Sequence, residues 1–403
     1  MRDLLAGGAG AGAEPDRHAV TVRAAGGGWT AVGEPPVPLV YWHGQYEGPV
    51  TLKDGRALAA GGAGPLLLSL DDSAVYDPGP GTWTVTGPLL QDRRLHSLTA
   101  LRDGRALAAG GTPGRQAFPQ PTLGHAELFD PGSGTWRATT EMTETRNGHS
   151  ATVLGDGRVL VAGGQRPRSL QDMLTLTTAE IFDPARETWM TTGAMTVARW
   201  GHLAVPLPGG RVLAVGGLVS TKRYGAGTAV GSCEVYDPGS GTWAQTGSLG
   251  AARAVHQAVP LPDGSVLAIG GEPGIAADDA RLRLRSLAST EIYDVTSGEW
   301  RPGPPLPWGR AYHRAVPTAD GALVFGGTES ACLDVGFAST LRWTVGARHW
   351  SPEGPLVTGR WAFGATALGD GRVLATGGVS RAGAAAATTG EGVPSGAAEV
   401  FTP

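Results

Sequence analysis

The 403-residue chain is poor in cysteine and lysine. With only Cys233 and Cys332, no disulfide framework can hold the fold. Lys53 and Lys222 are the only lysines, so arginine carries the basic charge. The formal net charge of -4 is small for this length. It excludes the dense single-sign surface of a general nucleic-acid or membrane-surface binder. No run is apolar enough to span a bilayer, and Met1–His18 lacks the apolar stretch of a secretion signal. A cytoplasmic location is the expectation that follows.

What the chain has in excess is glycine, 65 residues, together with 30 prolines. Such a composition suggests either disorder or many tight turns. The glycines recur at fixed places, which decides for turns. A double glycine occurs at 61–62, 110–111, 163–164, 216–217, 270–271, 326–327 and 377–378. Before each comes a short apolar run, and before that a turn position: Asp54, Asp103, Asp156, Gly209, Asp263, Asp320 and Asp370. Successive turns are 49, 53, 53, 54, 57 and 50 residues apart.

A second signature follows each double glycine. Five repeats carry an aromatic-Asp pair with a tryptophan six residues after the Asp. The pairs are Tyr76-Asp77, Phe129-Asp130, Phe182-Asp183, Tyr236-Asp237 and Tyr293-Asp294, answered by Trp83, Trp136, Trp189, Trp243 and Trp300. The sixth repeat keeps Trp350 but has Trp343-Thr344 in place of the pair. A period near 50 with these markers resembles the kelch repeat. The resemblance covers nearly the whole chain and implies an all-β, seven-bladed propeller of four-stranded blades.

Within a repeat, His149–Leu154 reads as the first strand and Arg158–Ala162 as the second, joined at Asp156-Gly157. The third ends at Phe182-Asp183 and the fourth holds Trp189. The last repeat stops before its tryptophan, and Gly27-Gly28-Trp29 resembles the missing piece. The N-terminal strand is therefore expected to complete the C-terminal blade and remove an exposed edge. Ala19–Val22 and Ala397–Phe401 compete for the third strand of that blade. Residues 1–18 are expected to be a flexible segment and 19–403 one propeller.

The connections between second and third strands are long and different in every repeat, so the face that carries them is the candidate functional face. Seven residues before each turn position stand Glu47, His96, His149, His202, His256, His313 and Phe363. Three residues earlier stand Gly44, Arg93, Arg146, Arg199, Arg253, Arg310 and Arg360. These rings admit two readings, template links between blades or ligand contacts. Tryptophans outside the repeat pattern, Trp42, Trp200, Trp308 and Trp361, fall within five residues before a ring position. Tyr41, Tyr46, Tyr224 and Tyr312 map to the same face. Aromatics beside arginines form a recurrent ligand-binding surface.

Glu47 places a carboxylate where other repeats have histidine or phenylalanine, and desolvation beside Trp361 and Phe363 would suit it to proton transfer. Glu47 is then the catalytic acid or base, with His43 or Tyr46 assisting. Arg93, Arg199, Arg310 and Arg360 orient a small anionic or aromatic substrate. Trp42, Trp200, Trp308, Tyr312, His313, Trp361 and Phe363 wall it. The expected chemistry is a metal-independent isomerisation, cyclisation or elimination with no cofactor. The rival is a non-catalytic kelch module for a protein or peptide partner. The resemblance also extends to the galactose oxidase group, which holds copper at the axis through tyrosines, histidines and a tyrosine–cysteine crosslink. Here Cys233 reads as part of a third strand and Cys332 as part of a long loop, so neither matches the crosslinking cysteine.

Overall fold

A computed structural model describes residues 26–36, 48–64, 68–115, 119, 121–169, 172–220, 227–275, 286–329, 335–381 and 393–403. It contains seven four-stranded antiparallel sheets, each in the simple order first to fourth from the axis outward. The first strands are Val50–Thr51, Ser97–Ala100, Ser150–Val153, Leu203–Pro206, Gln257–Pro260, Arg314–Pro317 and Gly364–Ala367. Each lies against the next all the way round, and the seventh against the first. The Thr51 and Thr366 hydroxyls meet at 3.1 Å across that last seam.

Second strands such as Val159–Ala162 are buried at every residue. They are covered on both faces by neighbouring blades, which is why they read as apolar runs without alternation. The aromatic-Asp and tryptophan markers are directly opposed cross-strand pairs, for example Phe182 and Trp189 with ring centroids 5.0 Å apart. Trp343 and Trp350 fill the same place in blade 6.

The closing blade resolves the open assignment at the termini. Its third strand is Ala398–Thr402, and Gly28–Val32 adds outside it as the fourth, pairing Trp29 with Phe401. Trp29 also donates from Nε1 to Thr340 Oγ1 of blade 6 at 2.9 Å. Ala19–Val22 and the 1–18 segment lie outside the described residues. Among the described residues no helix is long and apolar enough to cross a membrane.

The double glycine is a junction between blades. Gly163 and Gly164 have φ of 63° and 95°. A Cβ on Gly163 would lie 2.4 Å from the Arg199 carbonyl, so only glycine fits. Gly163 O accepts Arg146 Nη1 of its own blade at 2.7 Å, while Gly164 N–H donates to Arg199 O of the next at 2.9 Å.

Candidate functional site

The described ends of the long connections lie beside the starts of the first strands, on one face. The residue after each ring arginine forms a bridge with the residue after the double glycine, as in Trp200 with Leu218 and Trp361 with Val379. On this face hairpins rise from blade 3 (Gln165–Ser169 and Asp172–Thr175), blade 4 (Leu218–Ser220 and Gly227–Ala229) and blade 7 (Val379–Arg381 and Val393–Pro394). Ser220 ties the first two together, its Oγ donating to Gln165 Oε1 at 2.7 Å and its N–H to Thr175 Oγ1 at 2.8 Å.

The residue just before the ring position is left-handed in six blades. Gly148 and Gly201 supply it freely, but Leu95, Val255, Tyr312 and Ala362 hold φ of 55°, 45°, 53° and 50°. For a β-branched residue such as Val255 this is strained. The conformation turns each N–H toward the preceding blade. Gly148 donates to Leu95 O, Gly201 to Gly148 O, Tyr312 to Val255 O and Ala362 to Tyr312 O, at 2.8 to 3.1 Å. A belt of backbone hydrogen bonds thus circles much of the mouth. Only Gly148 and Gly201 announced it in the sequence.

The ring histidines are buried side chains of the scaffold. His96, His149, His202, His256 and His313 are fully buried. His149 Nε2 meets Ser97 Oγ of the preceding blade at 3.0 Å, and His202 Nε2 meets Ser150 Oγ at 2.9 Å. Burial, reinforced by neighbouring arginines, pushes His149 down to about 3, so it is neutral. Among the described residues no three His, Cys, Asp or Glu side chains come together as a metal-holding group. Cys233 is a buried third-strand thiol raised to about 11 by burial, and Cys332 lies outside the described residues.

The arginine ring corrects the expectation that Arg93, Arg199 and Arg360 orient a substrate. All three are fully buried and engaged within their own blades. Arg199 donates to Gly216 O, Ser232 O and Glu234, the last at 3.0 Å. Glu234 in turn accepts the N–H groups of Thr196 and Val197. The same latch joins Arg93 to Glu127, Arg146 to Glu180, Arg253 to Glu291 and Arg360 to Glu399. The glutamate was legible three residues before the marker Asp in blades 2 to 5, but its link to the arginine was not.

Blade 6 departs from this pattern. Arg310 is as buried as the others, yet Leu341 stands at the glutamate position. Pro307 replaces one of the two residues whose N–H groups would hold a carboxylate, and proline has none to give. Arg310 donates to Gly326 O at 3.2 Å and Ser339 Oγ at 3.0 Å. Its guanidinium lies 5.5 Å from the Phe337 ring centroid, and burial without a carboxylate lowers it to about 9.

The aromatics divide in two. Trp200 is buried with Leu218, Ala229 and Ala254, and Trp361 with Ala63, Ala362 and Val379. Phe363 is fully buried against Phe325, with Arg314 over its ring, and His313 is buried too. These four therefore pack the scaffold and do not face solvent. Trp308 and Tyr312 are half-exposed; Trp308 meets Phe337 edge-on at 6.4 Å and Tyr312 meets Trp361 at 5.5 Å. Tyr41, Trp42, His43, Tyr46, Glu47 and Tyr224 lie outside the described residues.

No family model matches the chain. It is similar to Kelch-like protein 34 of Homo sapiens, 28% identical over 243 residues that make up 59% of this chain and 35% of that protein. It is also similar to Kelch-like protein terF of Aspergillus terreus, 25% identical over 185 residues, 46% of this chain and 39% of that one. The chain thus spans little more than a third of the length of these relatives. Among solved structures, a fungal alcohol oxidase of the AA5 family, in complex with copper, superposes with a TM-score of 0.70 at 16% identity, over 94% of this chain and 76% of that one. The structure of YjhT superposes with a TM-score of 0.58 at 15% identity, over 79% of this chain and 99% of that one. Seven spaced repeats, a closed ring of seven blades and these likenesses make the chain a kelch-repeat β-propeller.

Proposed function

We propose that the protein is an enzyme acting by proton transfer on a small anionic or aromatic molecule at the long-loop mouth. The observation that carries this is the aromatic seam of blades 6, 7 and 1. Tyr312, held left-handed and half-exposed, packs edge-on to Trp361, which is buried against Ala63 of blade 1. The ring of first strands brings blade 1 back beside blade 7. Glu47 enters blade 1 three residues ahead of Val50–Thr51, the first strand of that blade. A carboxylate near an aromatic seam is desolvated, which raises its affinity for a proton toward the range useful for acid–base work. His43 and Tyr46 are its assisting groups. Trp308 and Tyr312 supply the half-exposed walls, and Arg310 is the ring arginine that no carboxylate among the described residues neutralises.

An enzyme that reversibly takes a proton from carbon exchanges that hydrogen with solvent. Incubating the protein with a library of small carboxylates in deuterium oxide, with mass detection, should reveal a compound that gains deuterium. Glu47→Gln should abolish that gain while the protein stays folded. An active compound whose exchange survives Glu47→Gln would remove Glu47 from the mechanism. No exchange with any compound would count against the enzyme.

A further inference from the structure

Blade 3 shows how an acid outside the latch reaches a ring arginine. Glu144 stands two residues before Arg146, hydrogen-bonds Thr178 Oγ1 and lies 4.0 Å from Arg146 Nη2. It does so from a groove of about 540 Å³ lined also by Arg166 and Thr191. Thr178 Oγ1 itself accepts from Arg146 Nη2 at 3.3 Å. The arginine therefore addresses the latch glutamate on its inner side and, beside a hydroxyl, a second carboxylate on its outer side.

Blade 6 contains the outer half of that arrangement without the acid. Ser339 takes the place of Thr178 and accepts from Arg310 Nη2 at 3.0 Å. Trp308 takes the place of Glu144, two residues before the arginine. Ser339 and Trp308 are both half-exposed. Arg310 is wholly buried, its Nε has no acceptor, and no carboxylate among the described residues neutralises it. Leu341 and Pro307 stand where the other latched blades have the inner carboxylate and one of its N–H donors. A buried cation kept after its acid is lost is costly unless something else supplies the charge.

We propose that Ser339 Oγ and Arg310 Nη2 bind the carboxylate of a small ligand whose apolar body lies against Trp308. The ligand's acid then stands where Glu144 stands in blade 3, and the indole takes the contact that the Glu144 side chain makes there with its own groove. A charge-assisted bond to a dry guanidinium selects a carboxylate over a neutral amide, and the indole selects an aromatic or apolar neighbour to it. This carboxylate site rests on the small-molecule reading given above but not on proton transfer by Glu47.

Benzoate titrated into the full chain, followed by calorimetry, tests it, with benzamide as the neutral control. Benzoate should bind, and benzamide should bind about 10- to 100-fold more weakly. Arg310→Gln should weaken benzoate by a similar factor. Trp308→Glu should do so too, because it places in blade 6 the acid that blade 3 already has. Circular dichroism and the melting temperature establish that each variant is folded. Failure of benzoate to bind, equal binding of benzamide, or unchanged binding in folded Trp308→Glu overturns the site. A capped Gly-Glu-Gly peptide that binds more tightly than benzoate overturns the small ligand in favour of an acidic protein segment. Absence of deuterium exchange with every compound in the unmodified protein strikes the enzyme alone, and loss of Arg310 dependence strikes this site alone.

Discussion

Blade 4 and blade 6 carry the same buried arginine in opposite electrostatic states. Arg199 is matched by Glu234, which also gathers two backbone N–H groups, so charge, donors and acceptors close on themselves. Arg310 has the same carbonyl of the double glycine and the same serine hydroxyl, but an aliphatic Leu341 and an N–H-less Pro307 where the acid and its donor would be. The ring arginine is thus a structural device wherever its acid is present, and a ligand-facing charge becomes arguable only where the acid is gone. Presence of the arginine alone carries no functional information.

The largest test breaks the latch in blade 4. Glu234→Ala leaves Arg199 buried without its acid and two N–H groups without an acceptor. We expect a loss of about 3–5 kcal/mol in chemical denaturation. In blade 6 the sign should reverse. Arg310→Met keeps volume and removes an uncompensated charge, so the free protein should gain about 1–3 kcal/mol while losing benzoate binding. A loss of stability equal to that of the Glu234 variant would mean that Arg310 is already neutralised in the free protein.

The comparison sharpens when the latch is rebuilt. Leu341→Glu alone supplies an acid that lacks one of its donors, and Pro307→Ala alone supplies an N–H with nothing to hold. Together they should couple favourably by about 1–2 kcal/mol in a double-mutant cycle, and the double variant should no longer bind benzoate. Additive effects would show that the acid at 341 and the N–H at 307 do not act together.

The propeller, its blade count and its closure were legible because turns and cross-strand pairs are local. Asp156-Gly157, the Gly163-Gly164 junction and the Phe182–Trp189 pair each lie within a short stretch of chain. The site was less legible because its logic is a contact between segments far apart in sequence. Arg93 and Glu127 are separated by 34 residues, and neither residue alone says whether the arginine is satisfied. Trp200 and Trp361 bridge to Leu218 and Val379 after the double glycines, but their burial depends on packing that no spacing reveals. The left-handed belt was hidden because Leu95, Val255, Tyr312 and Ala362 are residue types that ordinarily avoid that conformation.

The smallest expected effect separates His149 from His313. His149 bonds Ser97 of the preceding blade, whereas among the described residues neither ring nitrogen of His313 has a hydrogen-bond partner. Phenylalanine already fills the equivalent slot in blade 7 as Phe363, so His313→Phe should fold well. Burial, with Arg310 and Arg314 adding repulsion, holds His313 well below its ordinary value of 6.5. The native state therefore keeps it neutral where the unfolded chain takes up a proton. Stability is full above about pH 6.5 and falls as pH drops below it, because the unfolded chain binds more protons. Removing the histidine removes that loss. Relative to wild type, His313→Phe should gain just under about 1 kcal/mol between pH 8 and pH 6, and more toward pH 5. His149→Phe should show the same pH-dependent gain beneath a constant penalty for the Ser97 hydroxyl it abandons. Parallel curves for both variants and wild type would mean that the histidines titrate in the folded ring as they do in the unfolded chain.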